Sequence, residues 1–220
     1  MRSKLAALAL AGALSSAGAL HALGPITAIQ FDLGVVTDLN LAPSTSAGSS
    51  SLVTNILGVG LTLPFEPGSR WSFVPAADFY FANYQWFNGV GPAVLADIGD
   101  REAFVFGILL NAPVVYSLDV KPPWKVSFGA GLAINARYGF VAVSGVPSSD
   151  VDAINSYFWS DGRFLMPSTL ARVFYTLTRH IDFGFEALAY WPIFNLWAGT
   201  GLSFFDQGIF GGSLVVRYIY

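Results

Sequence analysis

The sequence predicts an all-β fold: a transmembrane antiparallel up-and-down β-barrel of eight strands. Three observations predict it. Hydrophobic residues make up 54% of the 220 and charged residues only 11%, well short of the quarter or so carried by a soluble domain. Apolar residues alternate with small or polar ones at period two over most of the chain. The alternating segments are joined by long and short connections in turn, as in a barrel whose loops lie on one side of a membrane and whose tight turns lie on the other. An aromatic content of 15% is too high for a disordered chain. The net charge of −3 offers no basic field to a phosphate backbone, so nucleic acid is not an expected partner. The lack of cysteine excludes a disulfide scaffold, a cysteine zinc site, a thiol nucleophile and a lipidated N-terminal cysteine.

Residues 1–22 read as a secretory signal peptide, and residues 23–220 as the barrel. Arg2 and Lys4 form a basic start, Leu5 to Leu14 an apolar run, and Ala17-Gly18-Ala19 a small-x-small cleavage motif, with Ala22 as a second candidate. A bundle of helical spans fits less well, because such spans need about 20 mostly apolar residues. The best later stretch, Ala187 to Phe205, is broken by Pro192, Asn195, Gly199 and Gly201.

The strands are expected at 26–37, 52–65, 71–82, 102–118, 124–142, 163–178, 181–195 and 208–220. In the third, Trp71, Phe73, Ala77, Phe79 and Phe81 alternate with Ser72, Asp78 and Tyr80. Phe104, Phe106, Ile108 and Leu110 share one face of the fourth, opposite Gly107 and Asn111. The fifth is the clearest: Val126, Phe128, Ala130, Leu132, Ile134, Ala136, Tyr138 and Phe140 stand against Lys125, Ser127, Gly129, Gly131, Ala133, Asn135, Arg137 and Gly139. The sixth gathers Phe164, Met166 and Phe174 with Ser168, Arg172 and Thr176. The seventh sets Ile181, Phe183, Phe185, Ala187, Ala189 and Trp191 against Asp182, Gly184, Glu186, Leu188 and Tyr190. Short turns are expected at 66–70, 119–123 and 178–180, and long loops at 38–51, 83–101, 143–162 and 196–207. The polar face is mostly Gly, Ser, Asn and Thr rather than the Lys and Glu of a solvated exterior. It therefore suits a narrow lumen, and the apolar face suits lipid.

The last strand carries a resemblance. Phe210, Gly212, Leu214, Val216, Tyr218 and Tyr220 alternate up to a terminal aromatic. This resembles the C-terminal signature of Gram-negative outer-membrane proteins, and in size and strand number the chain is similar to small barrels of the OmpW and OmpA-membrane-domain types. The resemblance implies the outer membrane of a diderm bacterium, reached through the periplasm, and partners in outer-membrane lipids and the barrel-assembly machinery. It also implies that a small hydrophobic solute is carried. No further residue motif matches, so no family site residue carries over.

On the expected parity the lumen holds Asp32, Asp78, Asp182 and Glu186 with Lys125, Arg137, Arg172 and Arg217. Such charges must pair in a low-dielectric interior, because an unpaired one costs several kcal/mol. The pairs read either as a gated polar conduit or as a plug filling the bore. Small inward residues such as Gly34, Gly58, Gly60, Gly107 and Gly129 suggest room to spare. No catalytic role is expected: His21 lies in the leader and His180 in a short turn, far from any triad. No cofactor or metal is expected either. The loop acids Asp97, Asp100, Glu102, Asp150, Asp152 and Asp161 lack EF-hand spacing. The loop aromatics Trp86-Phe87 and Tyr157-Phe158-Trp159 are expected to join an interfacial girdle. Two functions remain open: a narrow channel or carrier for small solutes, and a sealed barrel acting through its outer loops. The sequence leaves the oligomeric state undecided.

Overall fold

A computed structural model describes residues 24–39, 41, 52–85, 94–95, 103–140, 148–197 and 203–220. The expected leader, the Ser-rich run from Ser44 to Ser51 and the Trp86-Phe87 pair lie outside these residues. The described strands are β1 (Ala28–Asp38), β2 (Leu52–Pro64), β3 (Trp71–Phe73), β4 (Ala76–Gln85), β5 (Val94–Leu95), β6 (Ala103–Lys121), β7 (Trp124–Phe140), β8 (Leu165–Thr178), β9 (Ile181–Tyr190) and β10 (Ile209–Ile219). All pairings are antiparallel, and β1 pairs with both β2 and β10. The sheet thus closes on itself, with β3 and β4 forming one interrupted stave and β5 a short extension beside β4. Eight staves make the wall, and closure removes the open edges that lipid would not tolerate.

The interruption has a chemical cause. Proline has no N–H to give; Pro75 sits in the gap between β3 and β4, and Pro113 faces that gap from β6. Each still accepts a bond, Leu61 N donating to Pro75 O (2.9 Å) and Val74 N to Pro113 O (3.0 Å). Side-chain alternation runs unbroken across the gap: Ser72, Val74, Asp78, Tyr80 and Ala82 are all buried, while Trp71, Phe79 and Phe81 are exposed.

The other elements follow their residues. Glu66-Pro67-Gly68-Ser69 closes a tight turn in which Ser69 N donates to Glu66 O (3.0 Å) and Gly68 takes φ +78°, the left-handed value that such a turn requires. β9 stops at Tyr190, short of the expected residue 195. Pro192 cannot extend the ladder, and residues Ile193–Leu196 form a 3-10 turn instead. The β7–β8 connection contains an element absent from the expected pattern, the helix α1 (Ser148–Trp159).

The outward face is apolar, with Phe31, Leu33, Leu57, Phe128, Leu132, Phe185 and Leu214 among its exposed residues. Aromatics ring both ends. At the turn end Trp71 packs on Tyr116 (4.8 Å), Trp124 on Tyr175 (5.1 Å) and Tyr218 on Tyr220 (5.5 Å). At the loop end Phe81 packs on Phe104 (5.2 Å) and Trp191 on Phe210 (5.5 Å). The end-strand residues Phe210, Leu214, Val216, Tyr218 and Tyr220 belong to this outward surface, and all but the half-buried Phe210 are well exposed.

Candidate functional site

Among the described residues, charge concentrates in the interior of the barrel. All eight expected lumen residues point inward. Asp32, Asp78, Arg137, Arg172, Asp182 and Glu186 are buried, Arg217 is mostly so, and Lys125 is about one-third exposed at the turn end. Strand parity puts them there, because a period-two side chain has only two faces to choose from.

Their partners differ from a simple pairing of four acids with four bases. Arg172 Nε donates to Glu186 Oε2 across the β8–β9 register. Asp182 takes two cations, Arg217 Nη2 from its register partner on β10 and Lys125 Nζ at 3.5 Å. Asp32 and Asp78 are instead held by neutral donors: Gln30 Nε2 reaches Asp32 Oδ2 (3.2 Å), and the Tyr190 hydroxyl donates to Asp78 Oδ2 (3.1 Å). Arg137 lies nearer the loop end. Its Nη2 donates to Arg163 O (3.3 Å), and its guanidinium stacks over the Phe158 ring at 4.5 Å.

Neutral polar residues fill the space between these charges, and charge-based reasoning overlooked them. Tyr80 OH donates to Asn135 Oδ1 (2.8 Å), and Ser168 Oγ donates to Asn111 Oδ1 (2.6 Å). All four residues lie at inward parity, which was the available signal.

The lumen glycines do not leave free volume. Several stand opposite a larger side chain that occupies their space. The Tyr80 ring covers Gly107, Phe174 covers Gly184, the Asp78 carboxyl covers Gly58, and the Gln30 side chain lies 3.0 Å from where a Cβ on Gly60 would sit. The room expected from the small residues is therefore already taken. Met166, Leu170, Phe174 and Leu188 complete the packing, all buried.

Described residues of three loops pack over the loop-end mouth. From α1, Ile154 and Phe158 enter the core, each 1% exposed. Asp206, from the β9–β10 connection, accepts Leu41 N (2.7 Å) through Oδ1 and Asn195 Nδ2 (2.6 Å) through its backbone oxygen. Gln207 Nε2 donates to Tyr157 OH (2.7 Å), and Arg163 pairs with Asp161 (2.6 Å) while lying over the Tyr157 ring at 4.3 Å. Burial raises the Tyr157 phenol above its ordinary pKa, with Arg163 and the Gln207 bond opposing the shift.

The girdle expectation for Tyr157-Phe158-Trp159 therefore needs correction. Successive residues of a helix point about 100° apart, so only Trp159 faces out, against Tyr138 (6.1 Å) and Phe164 (5.4 Å). At the opposite end His180 Nδ1 lies 3.0 Å from Ile219 O, stacked on Tyr218. Of the loop acids, Asp97, Asp100 and Glu102 lie outside the described residues, and Asp152 is exposed on α1.

No family model and no curated protein matches the chain. Solved structures do. Neisserial surface protein A aligns at 14% identity over 88% of this chain and 96% of its own, with a TM-score of 0.53. OprG of Pseudomonas aeruginosa aligns at 10% identity over 90% and 99%, TM-score 0.49. The N-terminal β-barrel domain of OprF from the same organism aligns at 10% identity over 89% and 98%, TM-score 0.43. At these identities the likeness concerns the fold alone. The closed ring, the apolar exterior and the aromatic ends define the fold of a small β-barrel of the outer-membrane type.

Proposed function

We propose that this protein is a barrel closed at rest, placed in the outer membrane of a diderm bacterium and acting through its loop-end surface rather than through an open bore. The observation that carries this reading is the occupied space over the lumen glycines. An eight-stranded barrel has only enough interior for side chains, and here larger partners fill what Gly58, Gly60, Gly107 and Gly184 give up. The α1 plug and the Asp206–Gln207 knot close the loop end above that packing. On this reading residues 1–22 serve as the export leader, the loop end faces outward from the cell, and the outward apolar band meets lipid.

Planar-bilayer conductance of the refolded barrel tests it, with insertion verified by heat-dependent gel mobility. Inserted protein should give no discrete current steps. Regular steps from wild-type barrels would overturn the closed reading.

A narrow carrier or channel is the second reading. One observation favours it: polar side chains run along the whole lumen, from Lys125 and Asp182 at the turn end to Asn135 and Arg137 near the mouth. Those groups offer a hydrated path if the ion pairs exchange partners. Uptake of small solutes by vesicles that depends on Arg172 and Glu186 would favour this reading over the first.

A further inference from the structure

We propose that α1 is a releasable plug, latched into the mouth by Asn155, which replaces the part of strand β8 that the wall lacks. The register shows the missing part. β7 stays paired with β6 up to Phe104↔Phe140, whereas its pairing with β8 ends at Ile134↔Leu165. From Asn135 onward, one edge of β7 stands beyond the reach of β8. The first position is satisfied by a loop carbonyl, Asn135 N donating to Phe164 O (2.7 Å). Two positions of the same edge further on, Asn155 takes over. Gly139 N donates to Asn155 Oδ1 (2.8 Å), and Asn155 Nδ2 donates back to Gly139 O (3.3 Å). These are the two groups that a residue of an antiparallel neighbour would engage.

Gly139 also makes the seat. A Cβ there would lie 2.8 Å from Ile154 Cγ2, so the helix can lie close to the wall only over a glycine. Among the described contacts, side chains seat α1: the Asn155 carboxamide, Ile154 and Phe158 in the core, the Tyr157 hydroxyl held by Gln207, the Arg137 and Arg163 guanidinium groups over Phe158 and Tyr157, and Trp159 against Tyr138. Neighbouring staves, in contrast, are laddered along most of their length. An element held by side-chain contacts opens before the backbone-laddered staves it rests on. Release of α1 uncovers Arg137, Tyr80 and Asn135 while leaving the wall and the Arg172–Glu186 layer in place. Access is therefore gained to the upper lumen alone.

The chain has no cysteine, so single thiols report on α1 directly. The test uses full-length mature protein carrying Ile154→Cys, refolded into lipid vesicles and exposed to a polyethylene-glycol maleimide, with heat-dependent mobility showing that each barrel remains intact. Intact barrels should label slowly but measurably. Adding Asn155→Ala should speed labelling about tenfold or more, since two hydrogen bonds to the wall are lost together even though alanine is the better helix former. The double variant Gly139→Cys with Ile154→Cys should oxidise to a disulfide, because the Cβ at position 139 would lie 3.7 Å from that of residue 154, inside the usual range of about 3.5–4.5 Å. Reduction should then restore labelling.

Two results overturn the proposal. One is a thiol at position 154 that reacts only when the barrel unfolds, with Asn155 present or replaced. The other is an equal labelling rate with and without Asn155→Ala. Phe158→Cys carries the same readout if the first variant fails to insert. The inference builds on a lumen closed at rest, but labelling does not depend on ion flow, so its failure is distinguishable from failure of the conductance test.

Discussion

The ring of Tyr80 lies over Gly107, its register partner on the neighbouring stave, in the space that any larger residue at 107 would need. Gly107→Ala should therefore destabilise the barrel by about 1–3 kcal/mol, the usual cost of overpacking. Urea unfolding in detergent micelles measures it. Combining it with Tyr80→Leu should recover part of the loss, and no recovery would mean that the strain lies elsewhere.

Arg172 and Glu186 form a buried pair across β8 and β9. Glu186→Gln alone should cost about 3–5 kcal/mol, because it leaves a guanidinium in the interior without its counter-charge. Replacing both, as Arg172→Met with Glu186→Leu, should cost far less than the single change. A double-mutant cycle in the same unfolding assay decides, and additive losses would show that the two side chains act independently.

The outward strand end at Tyr218 and Tyr220 should matter more to assembly in cells than to stability once assembled. Tyr220 N donates to Thr27 O (3.0 Å) at the seam of the ring, and its side chain is exposed. Tyr220→Ala should lower the amount of heat-modifiable barrel in cell membranes several-fold, yet shift the unfolding midpoint of refolded protein little. Equal losses in both assays would assign the residue a purely structural role.

Tyr157 should titrate above the ordinary phenol value of about 10, because burial disfavours its anion. A raised pKa in the folded state means that the neutral phenol contributes stability in full below about pH 10. That contribution fades as the pH climbs toward the folded value. The difference between the tyrosinate absorbance titrations of wild type and Tyr157→Phe isolates this group. A transition at the ordinary value would place the phenol in solvent rather than under the mouth.

The wall was legible because lipid and lumen impose opposite preferences on alternate residues. The parity of Asp182, Glu186 and Tyr190, or of Lys125 through Gly139, follows from period two alone. α1 was missed for a different reason. Its helix-spaced apolar residues, Val151, Ile154 and Phe158, are few, and they sit in a segment whose length marked it as a loop. Ser148-Ser149-Asp150 after Pro147 was the start signal that the sequence did offer. The neutral partners of Asp32 and Asp78 escaped because charge counting looks for cations, whereas Gln30 and Tyr190 satisfy carboxylates with uncharged donors. A plug filling the bore was among the readings, but the means of filling escaped, since no one-dimensional pattern tells which neighbour leans over which glycine.

That leaning has a consequence for anyone who wishes to widen the bore. Interior volume is shared between a large and a small residue on adjacent staves, as in Tyr80 with Gly107, Phe174 with Gly184 and Gln30 with Gly60. The small member is already at its minimum, so only trimming the large one gains space. The hydrogen bonds that hold the cylinder together run through the backbone and take no part in this sharing. Calibre is set by the large side chains and closure of the ring by the backbone ladder, so widening the bore costs packing energy but breaks no ladder hydrogen bond.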